Sequence, residues 1–405
     1  MEKILLISKA LYYPLGAGSR IAQYYFLDGL KNDVEYVICT QLPDKSHIKN
    51  IAELQKLQPN LKIYYDIKNK REFKKIAKTF FGSIYNRYFK KIISDDFIIN
   101  SSPDNRQDIQ YVKLINDVIE KEDIKQVQFE FYHTLDLSYA IPQKIKKIFI
   151  LHEMRYKRLL LGYDSSNLPI SYKNLVLGKT EVVEKAFLKN MDIVVVFNED
   201  DAEHIKDCCP KVVVSPFGIP DEIIYKTHTS TSFNSFFFVG PEYHNPNAVG
   251  LSWFLDTIFV PNIDKMPFPV VIIGIWSRKF REKYKAYPKI IFKGYQETIE
   301  PFFENSVLIN PILTGSGIRT KVLHAFANKV PVLSTRFGAE CCFMEDDCSH
   351  IVFFDSVDEF CSIVSNYSDK RWTQLAQAGF DYYDRKFNKQ TLLEKRIKIY
   401  SESKI

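Results

Sequence analysis

The stretch from Asn310 to Thr335, NPILTGSGIRTKVLHAFANKVPVLST, decides how this chain reads. Just ahead of it, Val307-Leu308-Ile309 is a short apolar run of buried-strand type. Gly315 and Gly317 then let the backbone turn tightly and approach a ligand closely. A helix is predicted next, with Val322, Leu323 and Phe326 on one face. Pro331-Val332-Leu333 restarts an extended run. A helix N-terminus that opens on glycines, with Arg319 and Lys321 in its first turns, suits an anion. Free N–H groups, the helix dipole and two cations all favour a phosphate there. The same residues also suit an ordinary strand–turn–helix with solvated basic side chains, because glycine turns before helices are common.

Outward from this stretch, strands alternate with helices along the whole chain, which predicts α/β layers. Lys3 to Ile7 reads as the first strand and leads into a loop with Gly16 and Gly18. Further strands are expected at Val34 to Cys39, Val127 to Glu130, Ile148 to Leu151 and Ile193 to Phe197. Asn198, with Asp200 and Asp201 behind it, is a predicted helix N-cap. Between Pro220 and Asn234 the pattern lapses into KTHTSTSFN, a polar run of linker type. A second α/β unit restarts at Phe236 to Val239. The expected division is a first domain over 1–220, a linker over 221–233, a second domain over 234–385 and a terminal helix over 386–405. At 405 residues and 46% hydrophobic content the chain is long enough for two separate cores.

The wording of the glycine stretch adds more. GSGIRTKVLHAFANKVPVLST resembles the nucleotide-sugar site of the GT-B glycosyltransferases of the GT4-like group, whose pattern runs roughly G-x-G-x-R-x-K-x-L-E-A-x-A-x-G-x-P-V-V-x-T. FFFVGPEYHNPNAVGLSWFLDTI, from Phe236, is similar to the opening of that family's second domain. VVVSPFGIPDE and YYPLGAGSRIAQYYFLDGL resemble the close of its first domain and its N-terminal glycine loop. The resemblance implies two Rossmann-like domains with parallel sheets facing an interdomain cleft, and a last helix that returns to the first domain. It implies transfer of a sugar, with retention, from a nucleotide-diphosphate sugar to an acceptor hydroxyl. Three positions depart from the family: its glycine before the proline-valine pair is Lys329, and Ser316 and His324 differ as well. Its paired glutamates fall on Ser316 and His324, so both carboxylates are missing.

The donor diphosphate is expected on Gly315, Ser316, Gly317, Arg319 and Lys321. No D-x-D arrangement is present to hold a metal, so these cations take the charge role and no metal or cofactor is expected. His324 stands where the family contacts the donor ribose, and reads equally as a ribose or sugar contact or as a filled core position. Gly294 and Tyr295, after Ile290-Ile291-Phe292, are expected at the nucleobase. His152 follows the strand Ile148 to Leu151 at its C-terminal end, where open α/β sheets bind ligands, and matches the family's histidine near the donor sugar and acceptor. It is the expected catalytic residue. Glu130 closes the preceding strand and reads as a partner for His152, an acceptor contact or a surface carboxylate. Gly16, Gly18 and Arg20 are expected along the cleft or acceptor path.

Composition narrows the partners. A net charge of +6 is too mild for a nucleic-acid signature. The seven cysteines lack C-x2-C spacing and read as thiols in a reducing cytoplasm. Arg71 to Ile93 is basic and aromatic. It reads either as a helix packed on the first domain or as one lying on anionic lipid at the inner membrane surface. The expected partners are a nucleotide-sugar donor and a glycan, lipid-linked or protein acceptor. Two further readings stay open: a glycosyltransferase-like subunit without turnover, and a nucleotide-sugar epimerase.

Overall fold

The computed structural model describes residues 1–9, 11–15, 18–67, 108–163, 168–225, 230–315, 317–340, 342 and 348–403. The expectations for Gly16, Ser316 and the basic stretch 71–93 lie outside them. The chain forms two units, Met1–Ser215 with Leu393–Ile405, and Pro216–Leu392. The break falls at Ser215, ahead of the 221–233 linker read from composition. The reason is apolar: Phe217, Ile219 and Phe233 are all buried. Ile219 N–H donates to the Tyr383 hydroxyl at 2.7 Å and Phe233 N–H to Asp369 at 3.0 Å, which ties both ends of this segment to one helix.

Among the described residues, the first unit has seven strands: β1 (Glu2–Ser8), β2 (Val34–Leu42), β3 (Lys62–Ile67), β4 (Gln126–Glu130), β5 (Lys146–Ile150), β6 (Ile193–Val196) and β7 (Val212–Val214). They pair in parallel in the order β3-β2-β1-β4-β5-β6-β7. Side chains alternate between the two faces of a strand. Leu5, Ile7, Val127, Phe129, Phe149 and Val194 therefore share one face, packed with Tyr111, Ile115 and Val118 of the helix Ile109–Lys121. Asp108 starts that helix by accepting from Gln110 N–H at 3.0 Å. Gln128 and Glu130 take the opposite face, beside Phe26 of the helix Gly18–Gly29 and Arg396 of the last helix, Lys389–Ser401.

That last helix is anchored at its end by charge. Lys146, buried at the start of β5, donates to the carbonyls of Ile399, Tyr400 and Glu402 at 2.7, 3.1 and 2.6 Å. The final turn of a helix leaves carbonyls unpaired and carries partial negative charge, so a lysine there is stabilising. The helical tail read from sequence is two helices, Asp369–Lys386 and Lys389–Ser401. Asn388 starts the second by accepting from Thr391 N–H at 3.1 Å.

The second unit contains β8 (Ser235–Val239), β9 (Val270–Ile273), β10 (Ile290–Gly294), β11 (Ser306–Asn310), β12 (Val332–Ser334) and β13 (Val352–Phe353). The order is β10-β9-β8-β11-β12-β13, again parallel. One face holds an aromatic core of Phe236, Phe254, Phe268, Phe360 and Trp372, in tilted or edge-to-face contact. Such pairs add about 0.5–1.5 kcal/mol each beyond burial. The helix Thr320–Ala327 is buried nearly all round, not only on the predicted face. The helix Asp369–Lys386 packs against it and approaches closely at Gly379. A Cβ there would stand 2.7 Å from the Phe326 ring.

Candidate active site

The strand order of the second unit reverses between β8 and β11, where open α/β sheets bind ligands beyond the strand ends. The loop after β11 turns at Gly315 (φ 121°) and Gly317 (φ 82°), a backbone that other residues rarely adopt. It delivers Arg319 to the N-cap position of the helix Thr320–Ala327 and Lys321 to its first turn. The Arg319 guanidinium bonds the Glu340 carboxylate at 2.9 Å and lies 4.8 Å over the Phe337 ring. Its Nε is buried without a partner among the described residues. Lys321 Nζ donates to Asn247 Oδ1 at 2.5 Å and stands 4.8 Å over the Phe238 ring. Asn247 is itself fixed, donating to the Pro241 carbonyl at 3.0 Å.

The Lys321 stem keeps some exposure while its ammonium end is enclosed. Burial first, and Arg319 second, bring that ammonium down to about 7. Two cations held together, with one half-exposed carboxylate paired to Arg319, favour an incoming anion. Sequence reasoning brought Arg319, Lys321 and the two glycines to one place. It missed Asn247 and Glu340. Asn247 lies within the stretch from Phe236 that resembles the family's second-domain opening; Glu340 gave no local signal.

His324 lies in the same helix but faces the interior. Its Nε2 contacts the Ile223 carbonyl at 2.8 Å and Glu300 at 3.5 Å, and its ring meets Phe303 edge-on. Burial holds the imidazole below its usual range, while Ile223 and Glu300 pull the other way. A ligand contact from this ring therefore falls to Nδ1. Gly294 (φ 71°) ends β10, with open space where a side chain would stand, and Tyr295 beside it is 65% exposed. Tyr243 and Ile275, after the adjacent strands β8 and β9, are exposed as well. The three follow neighbouring strands and give this edge an apolar rim suited to a flat ring.

The first unit reverses between β1 and β4. Glu130 ends β4 and His152 follows β5, so adjacent strand ends bring the two together. His152 Nε2 lies 2.5 Å from Glu130 Oε2, with both side chains nearly buried. Phe131 adopts φ 69°, uncommon for a non-glycine residue, and its ring stacks on His152 at 4.4 Å. Thr134 holds this kink by donating to the Glu130 and Phe131 carbonyls at 3.0 and 2.9 Å. Phe197 meets the imidazole edge-on. Of the readings for Glu130, the partner to His152 is the one seen. Glu153, the histidine's neighbour in sequence, pairs with Arg158 instead.

The helix Arg155–Tyr163 begins just beyond His152. Its first N–H groups, on Arg155 and Tyr156, donate to the Glu184 carboxylate at 3.0 and 3.2 Å. Burial pushes that carboxyl up to about 7 against the pull of these bonds. Gly18 opens the helix Gly18–Gly29, and Arg20 donates to the Pro14 carbonyl at 3.0 Å on the surface. Among the described residues, no group of three His, Cys, Asp or Glu side chains converges as a metal site. No described helix is long and apolar enough to cross a membrane.

Residues 234–367 match the model of the family Glycosyl transferases group 1. The second unit therefore carries a domain of that glycosyltransferase family, and the chain as a whole has the GT-B fold. S. aureus TarM, in complex with Fondaparinux, alpha-GlcNAc-glycerol and UDP, is similar over 99% of this chain and 100% of its own, at TM-score 0.69 and 12% identity. Sucrose-phosphate synthase from Thermosynechococcus elongatus matches over 99% and 98%, at TM-score 0.67 and 11% identity. An E. coli trehalose-6-phosphate structure, bound with UDP-2-fluoro glucose, matches over 99% of both chains at TM-score 0.65 and 10% identity. At such identities the likeness is one of fold. No curated protein matches the sequence.

Proposed function

We propose that this chain transfers a sugar from a nucleotide-diphosphate donor to an acceptor hydroxyl, with uracil as the base. The observation that carries this reading is the pair of enclosed cations, Arg319 and Lys321, on the glycine loop at the second unit's switch point. The donor C1–O bond to the β-phosphate breaks and a new C1–O bond forms to the acceptor oxygen. The hydroxyl proton passes to the departing diphosphate, directly or by way of His152, and the nucleoside diphosphate departs with the charge that Arg319, Lys321 and the helix N-terminus stabilise. Their cationic character supports metal-independent departure. Tyr295 is suited to stack on the base, with Gly294 leaving room beside it. In the first unit His152, held by Glu130, serves the acceptor proton or the donor sugar. Retention of the anomeric configuration and work in bacterial surface-polysaccharide or glycoconjugate assembly follow the family resemblance. The UDP ligands of two fold neighbours favour uridine.

One observation favours a second reading. His324 fills a core position where the family has a ribose-binding glutamate. A subunit that binds nucleotide without turnover would carry the same change. Thermal shift with a panel of nucleoside diphosphates and their sugars, followed by donor hydrolysis, separates the two. Preferential stabilisation by UDP with slow UDP release from the sugar supports the transferase. Stabilisation without release supports the binding subunit, and no stabilisation by any member overturns both.

A further inference from the structure

We propose that Arg396 and Gln23 are positioning residues for His152: through one internal water they close a hydrogen-bonded cage around Glu130, which fixes His152 as its Nε2–H tautomer and leaves Nδ1 as the atom that takes a proton. A small pocket in the first unit is lined by Gln23, Tyr36, Gln128, Glu130, His152 and Arg396. It has room for about one water molecule. Gln23 is 3% exposed, and neither atom of its amide has a partner among the described residues. A buried amide without partners is unfavourable, and a water beside it supplies both a donor and an acceptor.

The charges point the same way. Arg396 is 1% exposed. It bonds Ser215 at 3.3–3.4 Å and the Tyr400 hydroxyl, and its guanidinium lies 3.7 Å over the Phe26 ring. Among the described residues it forms no ion pair, yet a buried carboxylate, Glu130, lines the same pocket. A water between them joins two buried opposite charges where the local dielectric is low. The last helix reaches Glu130 by a second route. Tyr400, one turn beyond Arg396, donates to Gln128 at 2.6 Å, and Gln128 donates to Glu130 Oε1 at 2.5 Å. An ionised carboxylate only accepts, so the ring must present N–H at Nε2, and in the neutral ring the lone pair is then on Nδ1.

The proposal rests on the transferase reading only for its effect on turnover, because the tautomer is read without it. The test uses the full chain with 15N-labelled histidine imidazoles, the His152 signals being assigned by their loss in His152→Gln. Nε2 is expected to carry the proton in the wild type. Gln23→Leu keeps the side-chain bulk and removes both polar atoms; Arg396→Met removes the charge. Each is expected to turn His152 into a tautomer mixture and to lower kcat at least tenfold, with donor KM within twofold. Arg396→Lys is expected to restore most of both. A wild-type proton on Nδ1 overturns the proposal, as does an unchanged nitrogen pattern in folded Gln23→Leu. If Arg396→Met does not fold, Gln23→Leu decides, since it lies on a different helix. A fall in kcat with an unchanged tautomer overturns the proposal and leaves the transferase reading intact. Absence of turnover in every form overturns the transferase reading, and the tautomer still decides this one.

Discussion

The two units solve the same topological problem in different ways. Both sheets reverse order beside their first strand, and both place charged side chains at that reversal. In the second unit the groups are contiguous in sequence: two glycines, an arginine and a lysine within seven positions, on one loop and one helix turn. In the first unit the corresponding groups come from four separate elements: Gln23, Glu130, His152 and Arg396. A site built on one turn is local and shows in a motif. A site built across a sheet face exists only after the strands and the last helix have packed.

The sharpest way to break this contrast is to remove the imidazole. His152→Ala is expected to lower turnover on the order of 10²–10⁴-fold, the usual range for a positioned acid–base group. Nucleotide affinity should change less than twofold in calorimetry, because the proposed diphosphate contacts lie in the other unit. Equal losses in turnover and affinity would mean that the two units do not divide the work this way.

The reciprocal change is Arg319→Ala or Lys321→Ala. Each charge-assisted bond lost should weaken UDP binding by roughly 1.5–3 kcal/mol, or about 10- to 150-fold. Melting temperature without ligand should barely move. Unchanged UDP affinity in the double variant would refute the diphosphate assignment.

A pH series sharpens the same point. The Lys321 ammonium lies near 7 in the free protein, and an adjacent diphosphate favours its charged form. Above about 7 the free side chain is therefore neutral and the bound one charged, so binding takes up a proton. UDP affinity should fall as pH rises from 7 to 9, by at most about tenfold per unit. Calorimetry in buffers of different ionisation enthalpy reads the proton directly, and Lys321→Arg should flatten the profile. Proton release on binding would show the sign to be wrong.

The smallest effect concerns the support beneath His152. Glu184 has a carboxyl raised from 4.5 to about 7 by burial. The folded state thus holds its proton more tightly than the unfolded state does. Its contribution to stability is fully present below 4.5 and is lost as pH rises through 7. Glu184→Gln cannot ionise, and it keeps one oxygen where the Arg155 and Tyr156 N–H groups use two. It should be less stable than the wild type near pH 5, and the gap should narrow by a few degrees of melting temperature between pH 5 and pH 8. A gap that widens over that range would mean that the charge on this cap outweighs its burial.

Much of the fold was legible because its signals are periodic or local. Apolar runs such as Ile4 to Ile7 and Ile193 to Val196 read as strands, and both are strands buried on both faces. Asn198 caps as read, accepting from Asp201 N–H at 2.8 Å. Less legible was the alternation Gln126-Val127-Gln128-Phe129-Glu130. A two-residue period normally puts the polar side in water, yet here both faces are covered and all five residues are buried. His324 shows the same limit, since a polar residue in a motif position became part of a core.

By itself, the sequence determined the alternation of strand and helix, the two glycines at positive φ and the cations that follow them, because each depends on neighbours within a few residues. Tertiary structure decided which carboxylate serves His152. Glu153 is adjacent in sequence and turns to Arg158, whereas Glu130, twenty-two residues away, is brought within 2.5 Å by the pairing of β4 and β5. It also decided that Arg396 near the chain's end and Gln23 near its start line one pocket. Such groups share no local signal. They meet because parallel strands align their C-terminal ends, and because the last helix is anchored to the first unit's sheet by Lys146.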